Sequence, residues 1–315
     1  MKANPAVTSG PGGTPLQAVP CDLCGASKQQ TWLTLRDTMS GTSQQVYRLA
    51  RCRSCDLIYL NPRPYQWDLH RYYPDSYAPF TRSRLGELAR NWLHRRSVQE
   101  LSTHFQYPKR VLDIGCGTGE LLEQVRQSGN AHVTGVEPSS RAARIARDDR
   151  NLDVRTGTLE QVQFPDESFD SVLLSHVLEH LPSPTKTLQE VERILKPGGV
   201  VIIWVPNARS WAARWLGRYW MGWDVPRHLY AFSPSTLHRL LGKTALSPEQ
   251  IVHEKHAIEW SWGLRLWAAD RFDNPTVDRT LGILHPALAL ALTPVSLGAA
   301  LFQRSGRIRL IARKR

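Results

Sequence analysis

Apolar positions between residues 109 and 207 follow two alternating rhythms. Val111, Leu112 and Ile114 form an unbroken run, the pattern of a strand buried on both faces. Leu121, Leu122 and Val125 then recur at helical spacing behind Glu120. HVTGVEPS is a second strand, ending at Glu137, and Ser139 is placed to cap a helix over Arg141–Asp148. Leu152–Arg155 reads as a third strand and SVLLSHVLEHL as a fourth. The helix Thr185–Leu195 is stopped by Lys196-Pro197-Gly198-Gly199, and Val200–Val205 is a fifth strand. This alternation predicts an α/β, doubly wound domain around a parallel sheet.

The flanks read differently. Met1–Pro20 is rich in Pro, Gly, Ser and Thr and predicts a disordered tail. Leu57–Phe80, with its tyrosines and prolines, predicts an ordered connector. There Tyr72, Tyr73 and Tyr77 either line a site mouth or pack between domains. Ser83–His104 is a basic helical stretch with Leu85, Leu88, Ala89, Trp92 and Leu93 on one side. Beyond the central run, Ser233 and Pro234 open another helix. Glu249–Trp260 reads as a sixth strand and Arg307–Arg313 as an antiparallel last one.

Between those two strands, Leu281–Phe302 contains no Asp, Glu, Lys or Arg. Its length suits a membrane crossing. Pro286, Pro294 and Gly298 break it, however, and a crossing would strand the last β-strand across the bilayer. Two readings stand. One is an in-plane or re-entrant hairpin on an anionic membrane surface, with Arg279, Arg304, Arg307 and Arg309 meeting headgroups. The other is a buried cap, or a helical hairpin that forms a homodimer.

Four of the five cysteines form two C-x-x-C pairs, Cys21/Cys24 and Cys52/Cys55. Each pair can place two thiolates on one knuckle, and two knuckles complete a tetrahedral Zn²⁺ site. Four protein ligands leave no open position, so the metal is expected to be structural. A redox dithiol is the competing reading, but one pair would suffice for that. Such spacing fits a reducing compartment better than a disulfide framework. No apolar core of signal-peptide type stands at the N-terminus. A cytoplasmic protein, peripheral on the inner membrane face under the lipid reading, is expected. The net charge of +12 points either to an anionic partner (RNA, a membrane surface or a phosphate-bearing substrate) or simply to a soluble basic surface.

Gly115, Gly117 and Gly119 crowd one turn after the first strand. Their spacing misses G-x-G-x-x-G, because the third glycine comes one residue early. Glu137 lies about twenty residues on, where a carboxylate can accept ribose hydroxyls. The glycine loop, the acidic second-strand end, FDSVLLSHVLEHL, LKPGG and a final apolar strand occur in order. Together they resemble the class I S-adenosylmethionine (SAM)-dependent methyltransferases. The resemblance implies a Rossmann-like sheet with SAM as cofactor. It places Asp113, Gly115, Gly117, Gly119 and Glu137 around the methionyl and ribose parts, Thr158 and Leu159 beside the adenine, and Ser175 at the fourth strand's end. It also implies that the helix before the first strand covers the cofactor. Cys116 reads only as a small loop residue.

Methyl transfer is an in-line displacement for which the acceptor must be aligned, and a hydroxyl acceptor also needs a base. His228 is the first candidate, within Trp223–Phe232 beside Asp224, Arg227 and Tyr230. His176 and His180, next to Glu179, are the second, although LEHL also closes the strand. Similar stretches occur in bacterial zinc-ribbon sugar methyltransferases of polysaccharide biosynthesis. That resemblance implies a histidine base before the YFS-like segment, with Arg227 here replacing an acidic residue. Three functions remain. The first is methylation of a sugar or glycan intermediate, lipid- or nucleotide-linked. The second is rRNA or tRNA methylation, disfavoured because the fourth strand ends in Ser175-His176-Val177 rather than an Asn-Pro-Pro-Tyr-like motif. The third is a non-catalytic SAM- and zinc-binding module. The expected layout is tail 1–20, zinc ribbon 21–62, connector and covering helix 63–104, SAM-binding domain 105–260, apolar helical insertion 261–305 and last strand 306–315.

Overall fold

The computed structural model describes residues 14–73, 98, 109–129, 131–272 and 274–315. Five short strands come first: β1 (Leu16–Gln17), β2 (Gln29–Arg36), β3 (Val46–Cys52), β4 (Ile58–Leu60) and β5 (Arg63–Pro64). The alternating part follows as β6 (Lys109–Ile114), α1 (Glu120–Gln127), β7 (Ala131–Glu137), α2 (Ser140–Arg150), β8 (Asp153–Thr156), α3 (Leu159–Val162), β9 (Phe169–Ser175), α4 (Pro184–Ile194) and β10 (Leu195–Pro206). The chain closes with α5 (Trp211–Leu216), β11 (Tyr230–Ala231), α6 (Pro234–Leu241), β12 (Leu246–His253), α7 (Ile258–Phe272), α8 (Pro275–Ala291), α9 (Thr293–Leu301) and β13 (Arg307–Lys314).

Seven strands form the main sheet in the order β12-β13-β10-β9-β6-β7-β8. β6 to β10 are parallel, and β13 runs antiparallel to β10 and β12. Unbroken apolar runs occupy the middle because both faces are covered: Leu112, Val172, Leu173, Leu174 and Val200 to Ile203 are all fully buried. Ser139 caps α2, its side chain accepting from Ala142 N. The chain winds from β6 out to β8, then returns to β9 on the other side of β6. In open α/β sheets ligands bind at such a switch point, outside the carboxyl ends of the strands.

A second sheet, β11-β4-β3-β2, carries the cysteine pairs. Its fourth strand is not local: Tyr230 and Ala231 pair with Tyr59 and Ile58. The cysteine-bearing hairpin is therefore stitched to the segment that holds His228.

Four sequence expectations change. The tail read to residue 20 stops short, because Leu16 and Gln17 pair with Pro64 and Arg63, burying Leu16; residues 1–13 lie outside the described residues. The strand read over Glu249–Trp260 ends at His253, and a helix begins at Ile258. Ile258, Trp260, Trp262, Leu264 and Leu266 alternate as in a strand, but they belong to a helix whose apolar positions are spread around its circumference. The insertion thus begins at Ile258 rather than 261. Lys196 to Gly199 enter β10 through a register shift between Leu195 and Val200, with Gly198 at φ +74°. The covering helix over Ser83–His104 and Tyr77 lie outside the described residues, except Val98, which is helical and buried.

Candidate active site

β6 delivers the chain to the glycine loop at the carboxyl edge. Gly115 and Cys116 both donate their N–H groups to Val136 O, at 2.7 and 3.2 Å. All three glycines have positive φ, but they face different things. A Cβ on Gly115 would meet Val177 at 2.6 Å, and one on Gly119 would meet Leu152 at 2.5 Å. Gly119 thus lets α1 close on the α2 end. A Cβ on Gly117 would meet nothing within 4 Å, so this is the open position of the loop.

Glu137 braces that position. Its Oε2 accepts from Gly117 N at 2.9 Å and its Oε1 from Ser139 N at 2.8 Å. Each oxygen keeps acceptor capacity for a ligand hydroxyl. Asp113 lies beneath, and its Oδ1 is buried with no hydrogen-bond partner among the described residues. Burial, reinforced by the Glu137 charge, pushes the Asp113 carboxyl up to about 8. Burial also raises Glu137, against the two backbone N–H groups that lower it. An unanswered buried acceptor, a braced carboxylate and an open glycine fit SAM, which brings an ammonium group and two ribose hydroxyls. Thr158 caps α3 and is half-buried, while Leu159 packs into the core. Cys116 is buried, and burial raises its thiol far above the usual range, which fits a packing role.

The second half of the site follows β9. Ser175 ends that strand and His176 adopts φ +56°, a conformation that non-glycine residues enter rarely and often at functional sites. Nothing in the residue pattern signals this turn. Three histidines come together here, each holding an acceptor with Nδ1. His176 Nδ1 faces Glu179 Oε1 at 3.4 Å, His180 Nδ1 faces Arg227 O at 3.1 Å, and His228 Nδ1 faces Gly222 O at 2.8 Å. A carbonyl only accepts, so Nδ1 of His228 carries the proton and its Nε2 the lone pair. The rings of His180 and His228 meet edge to face at 4.6 Å, and Tyr73 Oη lies 2.9 Å from His180 Nδ1.

Glu179 is the charged centre of this group. It is fully buried and its Oε2 has no hydrogen-bond partner among the described residues. Burial favours the neutral acid, but the His176 hydrogen bond and the positive potential of the three histidines outweigh it and hold the carboxyl down at about 2. Burial and repulsion from His228 push His180 down to about 4. Ligand-capable atoms of Glu179, His180 and His228 lie within 4.8 Å of one another. Such a cluster can accept a proton and disperse the resulting charge. Val177, packed on Gly115, links the loop to the histidines.

Arg227 does no chemistry here. Its guanidinium is fully buried, bonded to Asp224 at 2.5 Å and to Asp37 at 2.7 Å. Asp37 comes from the end of the cysteine-bearing hairpin, a partner that sequence spacing gave no means to find. Burial would depress the guanidinium, but both carboxylates outweigh it and raise its proton affinity.

Cys21, Cys24, Cys52 and Cys55 bring their sulfurs within 4.8 Å of one another. Sγ–Sγ distances are 3.5 Å for Cys21–Cys55 and for Cys24–Cys52. A tetrahedral site with Zn–S of about 2.3 Å has sulfurs about 3.8 Å apart, so the set fits zinc. The knuckles repeat one design: Gly25 and Asp56 donate back to Cys21 O and Cys52 O, both at positive φ. A cavity of about 350 Å³ opens on this hairpin between Ala18, Gln29, Arg48 and Asn61, lined by none of the histidines or loop glycines.

A methyltransferase domain model matches residues 83–250, more than half of the chain. The ubiquinone biosynthesis O-methyltransferase of Maricaulis maris is 36% identical over 151 residues, covering 44% of this chain and 59% of that protein. The corresponding protein of Cereibacter sphaeroides is 32% identical over 170 residues, 49% of this chain and 67% of that one. The chain therefore spans roughly three fifths to two thirds of the length of these relatives. Among solved structures, a SAM-dependent methyltransferase from Archaeoglobus fulgidus superposes with a TM-score of 0.50. It is 21% identical and covers 71% of this chain and 94% of that one, a likeness of fold.

Proposed function

Because the chain belongs to the methyltransferase domain family, as a class I SAM-dependent methyltransferase, we propose that it methylates a hydroxyl group of a small-molecule acceptor, a sugar or glycan intermediate. SAM supplies an electrophilic sulfonium methyl when bound. Asp113 and Glu137 hold its ammonium and ribose groups, and Gly117 leaves it room. His228 takes the acceptor's proton at Nε2. The observation that carries this reading is the hydrogen bond of His228 Nδ1–H to Gly222 O, which leaves Nε2, 4.0 Å from Asp224 Oδ2 and clustered with Glu179 and His180, to take the proton. The relatives named as O-methyltransferases support a hydroxyl acceptor. The sugar class is supported by the four-cysteine hairpin joined to the histidine segment, a combination that resembles sugar methyltransferases. The net charge of +12 suits an acceptor bearing a phosphate. The cysteine set holds one structural Zn²⁺ in this reading.

The test is methyl transfer from labelled SAM to nucleotide- and lipid-linked sugars, with RNA alongside. His228→Ala should leave SAM affinity near that of the parent and lower turnover by about 10²–10⁴-fold. Transfer to RNA alone would overturn the acceptor class, and unchanged turnover of the variant would remove His228 as base.

A further inference from the structure

Both ends of the apolar insertion sit at the edge that carries the histidines. His253 of β12 pairs with Ile308, and Pro206 of β10 pairs with Arg307. The chain thus leaves for α7 and returns from α9 at the carboxyl ends of the parallel strands, the edge that also carries His176 and, further along, the glycine loop.

The surface of the insertion is unlike the rest of the described surface. Among the described residues fourteen large apolar side chains are exposed, and ten of them lie between Ile258 and Phe302. Leu290, Leu301 and Phe302 expose 76%, 79% and 65% of their surface. In α9 only Ser296 and Ala299 are buried, although the helix is apolar on every side. Soluble surfaces rarely leave so much apolar area together unless something binds it. Thr280 to Gln303 contain no Asp, Glu, Lys or Arg, and exposed Arg279 and Arg304 bracket this stretch. Alongside, α5 adds exposed Arg214 and Trp215. Trp211 stacks on Trp215 at 5.2 Å and packs against Phe302 at 5.5 Å.

Apolar side chains rimmed by tryptophan and arginine match the layers of a lipid surface, with acyl chains inside and phosphates outside. A second copy of the chain suits this patch less well. A two-fold contact sets the same patch against itself and brings the arginine rims of both copies close together. The geometry also decides between crossing the membrane and lying on it. No single helix among the described residues is long and apolar enough to cross, and the segments Arg279–Ala291 and Thr293–Leu301 meet at a 47° bend. β13 must return to the sheet, so both ends stay on one side.

We propose that the insertion Ile258–Phe302 seats the protein in the plane of an anionic lipid surface, with the carboxyl edge of the sheet turned towards it. An acceptor carried on a lipid then meets the histidines directly. That consequence rests on the proposed reaction, whereas the docking does not.

The experiment is co-sedimentation of the full chain with vesicles of phosphatidylcholine alone or mixed with phosphatidylglycerol, read without any turnover assay. Wild type should partition at least tenfold more strongly onto the anionic vesicles. Leu290→Asp with Leu301→Asp changes two exposed positions and should remove at least nine tenths of that binding with melting unchanged. Arg279→Glu with Arg304→Glu should abolish the preference for anionic lipid. Absence of wild-type binding, or equal binding of the leucine variant, overturns the proposal. So does a solution dimer that the leucine variant splits while neither form binds vesicles, which would assign the face to a second copy.

Discussion

The guanidinium of Arg227 grips the carboxylate of Asp37 across 190 residues of chain, Nη2 to Oδ1 at 2.7 Å, with both side chains fully buried. Asp224 completes the clamp from three residues upstream. The clamp pins the cysteine-bearing hairpin to the turn that aims His228. Removing one partner leaves an uncompensated buried charge, which costs about 3–5 kcal/mol. Arg227→Ala and Asp37→Ala should each destabilise by that order in urea unfolding. Arg227→Lys should recover only part, because lysine lacks the planar fork. Burial alone would raise the Asp37 carboxyl, but Arg227 and Thr42 hold it below its ordinary value. Its contribution is therefore full above about pH 4, the unfolded value, and fades as pH falls through the lower folded value. A flat stability profile across that window would remove the clamp from the account of acid sensitivity.

Elemental analysis should find about one zinc per chain. Chelation should lower the melting temperature, and Cys52→Ser should do so without chelator. Burial pushes Cys55 up to about 11 and Cys21 higher still, whereas at Cys52 the Ser54 and Cys55 N–H groups outweigh burial and lower the thiol. At neutral pH it is therefore Cys21 and Cys55 that need the cation to form thiolates. Metal uptake should then release protons, and affinity should weaken as the solution is acidified. Melting that is the same with and without metal would reject a structural ion.

The parallel sheet and the glycine turn were legible because each rests on local pattern: apolar runs for β6 and β9, glycine spacing for the loop. The cysteine knuckles were legible for the same reason. What escaped was long-range or conformational. Asp37 carries no local mark of its pairing with Arg227, and the left-handed turn at His176 falls on a residue type that does not announce it. Alternation within Ile258–Leu266 imitates a strand, and only tertiary packing makes it a helix. Arg227, an anomaly if a carboxylate is expected before His228, becomes intelligible once Asp37 and Asp224 stand beside it.

Glu137 braces Gly117 and Ser139, and in the proposed reading it also holds the cofactor's ribose. Glu137→Ala should weaken S-adenosylhomocysteine binding by about 1–3 kcal/mol in calorimetry, the scale of hydrogen bonds to a charged group. NAD should bind less tightly than S-adenosylhomocysteine to the parent. Asp113 gives a separate signature. Its folded value, raised by burial and by Glu137 to about 8, lies above the unfolded carboxyl value. The ligand-free protein holds that proton longer than the unfolded chain, so stability should fall as pH rises between the two values. Asp113→Asn should flatten that slope while weakening cofactor binding. A slope retained in the variant would place its origin elsewhere.

Glu179 touches His176 and sits beside His180 and His228, yet the proposed reaction takes no proton from it. Its carboxyl is held at about 2, so it is negatively charged at any working pH. A fixed negative charge favours the protonated form of a neighbouring imidazole, which is the form His228 reaches when it takes the acceptor's proton. Glu179→Gln keeps the shape and the backbone bond from Leu229 N to Glu179 O at 2.8 Å, and removes only the charge. Turnover should fall by about tenfold or more, each tenfold being about 1.4 kcal/mol, with the Michaelis constant for SAM little changed. His180, already pushed down to about 4, stays neutral in both proteins at neutral pH. A variant that melts earlier but keeps the parent's turnover would make Glu179 a packing residue and leave His228 to act without its help.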